Sequence, residues 1–229
     1  MKIAVLMTAL GVATVAGAAT NADVGDGDSF ARPVNFLGMA QTAGVQVLPD
    51  CTGFTPATCK PITDPAAMTT ITNIGTEAVI KLPANVAHSL LCFTLSPLGG
   101  TSLINSTATR QRAAAFQIAT WRIESDVLNN PALINSQTGL PFGGFITGSQ
   151  IVSQQTGIIA PGEELEENPT GSRSCISGQL SRRSLVFMGL NDAQARDVFR
   201  GAMTLRFGSG ASAQFAFVTS RYGVRIYGD

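Results

Sequence analysis

Four cysteines are the residues of this chain best suited to covalent chemistry, and two of them bracket a short loop, CTGFTPATC. Because this loop contains glycine and proline, it can fold back on itself and join Cys51 to Cys59. Pairing of Cys92 with Cys175 would then close a loop of more than eighty residues, a crosslink worth roughly 4 to 5 kcal/mol in the chain-entropy model. Sequence alone leaves three connectivities open. Neither pair has CxxC spacing and His88 is the only histidine, so the pattern predicts disulfides and no metal site.

His88 and scattered carboxylates are the catalytic candidates. Histidine is the usual general base near neutral pH, and an enzyme built on His88 would draw on carboxylates such as Glu124 and Asp126. No acidic residue stands near His88 in the sequence, which favours a structural role. We find no GxSxG elbow, P-loop, Rossmann fingerprint or HExxH motif. The sequence therefore predicts a protein that is not an enzyme and has no cofactor, with a secreted enzyme using His88 as an alternative.

The charged residues separate into an acidic block and a basic C-terminal part. The block EELEE lacks the spacing of a calcium loop and is typical of a solvated face. From Arg173 to Asp229, eight arginines stand against three aspartates. This separation predicts charge contacts that guide self-assembly, with the alternative that the two charged parts face each other within one domain. The candidate assembly contacts are Glu163, Glu164, Glu166, Glu167, Arg221 and Arg225.

Composition indicates an extracellular protein. Charged residues make up 13% of the chain, and fifteen acidic residues balance fifteen basic ones. No nucleic-acid or membrane-surface role follows from such a balance. The first residues, MKIAVLMTALGVATVAGAATNA, combine one lysine, an apolar run and small residues, as a secretory signal peptide does. We predict a signal peptide over residues 1–22, cleaved after Ala18 or Ala22, rather than a membrane anchor, because the run is short and rich in alanine and glycine.

The mature chain is predicted to start with an arm and to continue as one domain. Residues 23–50 are acidic and glycine-rich at first, then apolar at Val45, Val47 and Leu48. They predict a flexible arm or an edge strand, and such an arm can also pair with another subunit by strand addition. Residues 51–229 are predicted to form a single β-sandwich domain.

The stretch from Arg112 to Asp126, RAAAFQIATWRIESD, predicts a long central strand. On a helix its apolar residues would fall on two nearly opposite sides. On a strand they alternate. One face then carries Ala115, Gln117, Ala119, Trp121 and Ile123, and the other Phe116, Ile118 and Thr120.

Further short strands alternate with glycine and proline turns. We predict strands over 78–82, 86–95, 145–152 and 185–188, with His88 on the second of them. Three more fall in the C-terminal tail, where Gly208 to Gly210 is predicted to be a turn. Asn191 and Gln194 form a capping box for a short helix that Gly201 closes. The fold class is mainly β: an antiparallel β-sandwich or jelly roll with one short helix near 191–200.

The tripeptide Asn105-Ser106-Thr107 matches the acceptor pattern for N-glycosylation. It predicts a surface loop between two strands.

Two short motifs, LCFTLSP from Leu91 to Pro97 and FQIATW from Phe116 to Trp121, resemble those of bacterial thioester-domain adhesins. In that family a cysteine thiol and a glutamine side chain form an internal thioester that traps an amine on a host surface. The resemblance implies Cys92 as the thiol and Gln117 as the acyl donor. Ser96 departs from the tyrosine that the family prefers. The competing interpretation pairs Cys92 with Cys175 and leaves Gln117 as an inward or edge polar residue.

The function that these features favour is that of a secreted structural or interaction protein. It would be a self-assembling subunit of a surface layer, sheath or filament, located outside the cell or on its surface. The predicted partners are further copies of the chain, as a homo-oligomer or polymer, and a host or matrix surface; nucleic acid and a membrane span in the mature chain are not expected. An adhesin with a Cys92–Gln117 thioester is the alternative.

Overall fold

A computed structural model describes residues 33–169 and 180–229 of the chain. The fold is mainly β with antiparallel sheets, as predicted, and it forms a β-sandwich. The predicted signal peptide, Arg173 and Cys175 lie outside the described residues.

The strands of the described residues, in chain order, are β1 (Asn35–Gln41), β2 (Val45–Leu48), β3 (Cys59–Pro61), β4 (Thr69–Thr72), β5 (Ala78–Leu82), β6 (Leu90–Pro97), β7 (Thr101–Ile104), β8 (Gln111–Ser125), β9 (Ile134–Asn135), β10 (Leu140–Pro141), β11 (Phe145–Ile159), β12 (Glu164–Glu167), β13 (Leu180–Ser181), β14 (Met203–Gln214), β15 (Ala216–Ser220) and β16 (Tyr222–Gly228). A 3-10 helix covers Asp126–Asn129, and two α-helices follow later, α1 (Arg182–Phe187) and α2 (Asp192–Arg200).

One layer of the sandwich is a single sheet of long strands, which we call the long sheet. Its order is β11-β8-β14, and both β4 and β5 pair with the far edge of β14. Strand β8 is the predicted central strand, fifteen residues long. Trp121 and Gln117 share one face, as the alternation predicts, and both are buried there.

The other layer consists of two smaller sheets that continue one another across a bend. The upper sheet has the order β1-β16-β6-β13, and the lower sheet has the order β12-β7-β15-β2-β3. Three chain segments cross the bend, from β1 to β2, from β6 to β7 and from β15 to β16. Backbone hydrogen bonds join them there, for example from Thr42 N to Tyr222 O at 3.0 Å and from Leu98 N to Arg221 O at 2.9 Å. A Cβ on Gly99 would lie 1.7 Å from the Thr219 carbonyl oxygen, so the close approach at the bend requires glycine there.

Two apolar clusters fill the space between the layers. The larger lies mainly under the upper sheet and contains Phe93, whose ring meets those of Trp121 and Phe207 edge-on at 5.9 and 5.4 Å. The smaller lies mainly under the lower sheet and is rich in alanine and valine. Burying such faces on both layers is the main stabilising contribution in a sandwich.

The helices and the tail differ in part from the prediction. Helix α2 begins at the predicted Asn191 cap with Gln194 completing the capping box. The predicted strand over 185–188 is wrong, because the segment belongs to α1, which starts at a capping box formed by Ser181 and Ser184. The described residues thus contain two α-helices rather than one.

Two strands are longer than predicted. The turn predicted at Gly208 to Gly210 is wrong, because β14 runs straight through it. A Cβ on Gly208 would lie 2.2 Å from the carbonyl oxygen of Asn73, so this glycine allows a close backbone approach rather than a reversal. Strand β11 continues past the predicted end at Val152, where the register shifts at a β-bulge.

Candidate functional site

A belt of buried polar side chains crosses the interior at the level of the bend. We call it the polar belt: Thr42, Gln117, Ser209, Ser220 and the hydroxyl of Tyr222. Along β8, Gln117 separates Ala115 of the smaller cluster from Ala119 of the larger one. Ser209 and Ser220 lie at the same boundary on their own strands. The belt therefore divides the core into its two apolar halves.

Three of the five members of the polar belt, Thr42, Ser209 and Tyr222, are hydrogen-bonded. Ser209 Oγ lies 2.8 Å from Thr42 Oγ1 and 3.0 Å from Glu77 Oε2. The Tyr222 hydroxyl donates towards the carbonyl oxygens of Thr120 and Gly208, at 2.9 and 3.1 Å. Burial, and then the charge of Glu77, raise the pKa of Tyr222 far above its ordinary value. These hydrogen bonds fix the two layers against each other.

The other two members, Gln117 and Ser220, have no side-chain hydrogen-bond partner in the part of the chain that the structure describes. Gln117 is completely buried, and neither Nε2 nor Oε1 has a partner among the described residues. The same holds for Ser220 Oγ. Unpaired buried polar groups are destabilising, by about 1 to 3 kcal/mol each.

The two residues of the predicted thioester are not brought together. Gln117 points into the core, whereas Cys92 is half-buried on the face of β6 opposite to Leu91 and Phe93. Cys92 is also disulfide-bonded. Its predicted partner, Cys175, lies outside the described residues, and the thioester stays a prediction that this geometry does not favour. The predicted disulfide between Cys51 and Cys59 is present, with 5.7 Å between the Cα atoms.

His88 is exposed in the turn before β6 rather than on a strand. Its backbone N–H donates to Asp229 Oδ1 at 3.1 Å, beside those of Ser89 and Leu90. The carboxylate of Asp229 also accepts from Ser89 Oγ. Burial alone would raise the pKa of Asp229, but these hydrogen bonds together lower it. No described contact joins His88 to Glu124 or Asp126.

Glu124 and Asp126 instead line a polar cleft at one end of the sandwich. Glu124 Oε1 lies 2.9 Å from Arg206 Nε and 3.0 Å from Arg122 Nε, and the guanidinium of Arg122 stacks over the Phe145 ring at 3.8 Å. The cleft encloses about 320 Å³. Its lining consists of Arg122, Glu124, Ser125, Asp126, Asn129, Gly143, Gly144, Ala202 and Thr204.

The glycosylation tripeptide does not present its asparagine at the surface. Asn105 is 1% exposed. Its amide donates to the carbonyl oxygens of Thr109 and Ile159, and its Oδ1 accepts from Thr107. Because the side chain is buried and bonded at both ends, a glycan on Asn105 is incompatible with this fold.

The predicted assembly contacts lie on two surfaces. Glu164, Glu166 and Glu167 are exposed on β12, an edge strand of the lower sheet, and Glu163 precedes them. Arg221 and Arg225 are exposed near the bend and on β16. Within residues 33–169 and 180–229, the ion pairs do not join either arginine to the acidic strand.

Beside β12 lies a second edge with the opposite character. Strand β11, FITGSQIVSQQTGII, contains no charged residue and no proline. It pairs with β8 on one side, and no strand of the described chain pairs with it on the other. The sequence prediction ended this strand at Val152, although the sequence continues without a charge to its end at Ile159.

The described residues contain no group of three or more His, Cys, Asp or Glu side chains arranged to hold a metal ion. None of their helices is long and apolar enough to cross a membrane. No protein-family model, curated protein or solved structure matches the chain.

Proposed function

We propose that the protein is a secreted structural subunit that assembles with copies of itself into a surface layer, sheath or filament, and that β11 is the strand along which copies pair. The observation that carries the proposal is the long uncharged edge of β11. An unpaired edge strand presents a row of backbone donors and acceptors to another chain, and proteins that stay monomeric usually protect such edges with charge or proline. The leader and the Cys51–Cys59 disulfide support a location outside the cell.

The direction of the β11 backbone groups follows from its pairing. Ser125 N donates to Gly144 O at 3.1 Å, which identifies these two residues as a hydrogen-bonded pair. Such pairs alternate along an antiparallel ladder, so Gly148 bonds to β8, whereas the N–H and C=O of Thr147 and Ser149 point away from it. These are the groups that a second copy would meet. The bulge at Val152 limits each continuous stretch to about seven residues.

A proline at Ser149 tests the proposal, because it removes an outward N–H without removing a bond to β8. Sedimentation velocity and electron microscopy should show concentration-dependent assembly of the mature wild-type protein and of Ser149→Ala. We expect Ser149→Pro to be folded by circular dichroism but monomeric. The proposal fails if wild type stays monomeric at high concentration, or if folded Ser149→Pro assembles as well as Ser149→Ala does.

A further inference from the structure

Strand β1 is a second sheet edge without protecting charges. Its sequence, NFLGMAQ, contains no charged residue and no proline. It pairs with β16 on one side, and no strand of residues 33–169 and 180–229 pairs with it on the other. The remaining edge strands of the three large sheets, β3, β4, β5, β12 and β13, have two to five residues, and three of them carry a charge. In the described chain, β1 and β11 are therefore the edge strands that are both long and uncharged.

The two edges lie on opposite sides of the sandwich. In the long sheet, β8 and β14 lie between β11 and β5. A Cβ on Gly38 of β1 would lie 3.7 Å from Ile80 Cγ2 of β5, so β1 lies over β5 and across the molecule from β11. Strands β1 and β11 of one chain therefore cannot pair with each other.

The backbone groups that β1 leaves free follow from its pairing with β16. Thr42 N donates to Tyr222 O at 3.0 Å, and the register continues from this pair into β1 without a shift as far as Met39. Bonded and non-bonded pairs alternate along an antiparallel ladder. Ala40 therefore bonds to β16, whereas the N–H and C=O of Met39 and Gln41 point away from it.

The side chains beside these free groups suit a contact between chains. Met39 is 71% exposed on β1, and Ile151 is 41% exposed on β11. Paired strands place the side chains of one face next to each other, so pairing of the two edges would remove apolar surface from water. Since neither strand carries a charge, pairing would not require a charge on either strand to lose its water.

We propose, on the basis of the function proposed above, that the strand with which β11 pairs is β1 of a second copy. Met39 and Gln41 on one strand, with Thr147 and Ser149 on the other, would form about four backbone hydrogen bonds in an antiparallel pair. Because the two edges differ and lie on opposite sides, each copy that binds through one edge still offers the other, and the contact repeats. Pairing of β11 with β11 would use the same surface of both copies and would stop at a dimer.

Proline variants that block one edge each test this pairing. Met39→Pro removes an outward N–H of β1 without removing a bond to β16, as Ser149→Pro does on β11. Each variant alone should be folded by circular dichroism and monomeric by sedimentation velocity. At concentrations where wild type assembles, an equimolar mixture should form a species of two chains and nothing larger, because Met39→Pro keeps an intact β11 and Ser149→Pro keeps an intact β1. Native mass spectrometry should find one chain of each kind in that species.

The possible outcomes distinguish this pairing from assembly along β11 in general. If folded Met39→Pro assembles as wild type does, or if the mixture stays monomeric, β1 is not the partner, although β11 can still be the contact. If folded Ser149→Pro assembles alone, or if wild type stays monomeric, both the pairing and the proposed function fail.

Met39→Lys tests the same edge without changing the backbone donors. Because Met39 is 71% exposed, the substitution should leave the thermal midpoint nearly unchanged. A charge on the paired edge should weaken association at least tenfold. Met39→Leu is the matched control and should assemble like wild type. Equal association of the two variants would overturn the pairing of β11 with β1.

Discussion

Strands β11 and β12 lie next to each other on one side of the sandwich, and they expose opposite chemistry. Gln155 of β11 reaches across to β12, where its Nε2 donates to Leu165 O at 3.3 Å. Three of the four residues of β12 are glutamates, whereas none of the fifteen residues of β11 is charged. Charge on an edge strand discourages pairing with another chain. Within the described residues, the comparison therefore contrasts an edge strand whose charges discourage pairing with a neighbouring edge strand that lacks such charges.

The largest expected effect is on the free energy of unfolding. It distinguishes a buried carboxylate that stabilises the fold from carboxylates that are exposed on an edge strand. Asp229→Asn should lower the free energy of unfolding by about 2 to 3 kcal/mol near neutral pH, because the carboxylate accepts from three backbone N–H groups and from Ser89 Oγ. Neutralising Glu166 and Glu167 on β12 should change it by less than about 0.5 kcal/mol. Urea denaturation of both variants makes the measurement.

The effect of Asp229 should depend on pH. Its pKa is lowered in the folded state from the ordinary value of 3.8. Its contribution to stability is therefore complete above about pH 4 and is lost as the pH falls through the lowered pKa. The difference between wild type and Asp229→Asn should shrink in acid. A difference that grows in acid would contradict the assignment.

The next effect, also on stability, distinguishes the inward face of β11 from its exposed face. Gly148→Ala should lower the unfolding free energy by about 2 kcal/mol, because a Cβ there would lie 2.5 Å from the Trp121 ring. Ser149→Ala, at the adjacent exposed position, is the control and should be nearly neutral. Thermal and urea denaturation measure both. Equal stabilities for the two variants would show that Trp121 and β11 do not pack as described.

Charging the uncharged edge should affect assembly and not folding. Ser149→Lys with Thr156→Lys makes β11 resemble β12, and like charges facing each other across paired strands are unfavourable. We expect at least tenfold weaker association, or about 1.4 kcal/mol, with an unchanged thermal midpoint. The matched control carries serine-to-threonine and threonine-to-serine changes at the same two positions. Undiminished assembly of the lysine variant would place the contact elsewhere on the molecule.

Local patterns predicted the elements whose signals are complete within a few residues. Alternation alone identified β8 and placed Gln117 on the same face as Trp121, and the Asn191–Gln194 capping box identified α2. Helix α1 was missed because its cap uses Ser181 and Ser184, whereas the usual sequence signature requires Glu or Gln at the second position.

Contacts between segments that are far apart in the sequence were not predictable from local patterns. Gly208 looks like a turn residue, and only the passage of Asn73 over it shows why glycine is needed inside a strand. The buried state of Asn105 depends on contacts with Ile159, fifty-four residues away. The cleft joins residues from β8, from the loop at Gly143 and from the start of β14, so its assembly depends on the sheet order.

The smallest expected effect is on the association of copies when glutamates of β12 are neutralised. The two roles considered for these glutamates predict opposite changes in association. Glu166→Gln with Glu167→Gln makes the strand resemble β11. If these carboxylates guard the edge, association should become about threefold tighter, or roughly 0.6 kcal/mol. If they instead steer approach towards Arg221 and Arg225 of another copy, as the charge separation in the sequence predicts, the association rate should fall, and high salt should slow the wild type alone. Because the glutamates are exposed next to the uncharged edge, we expect tighter association. Light scattering at low and moderate salt measures the strength and the rate of association. If the variant associates more slowly than wild type and its rate does not depend on salt, the steering role is correct instead.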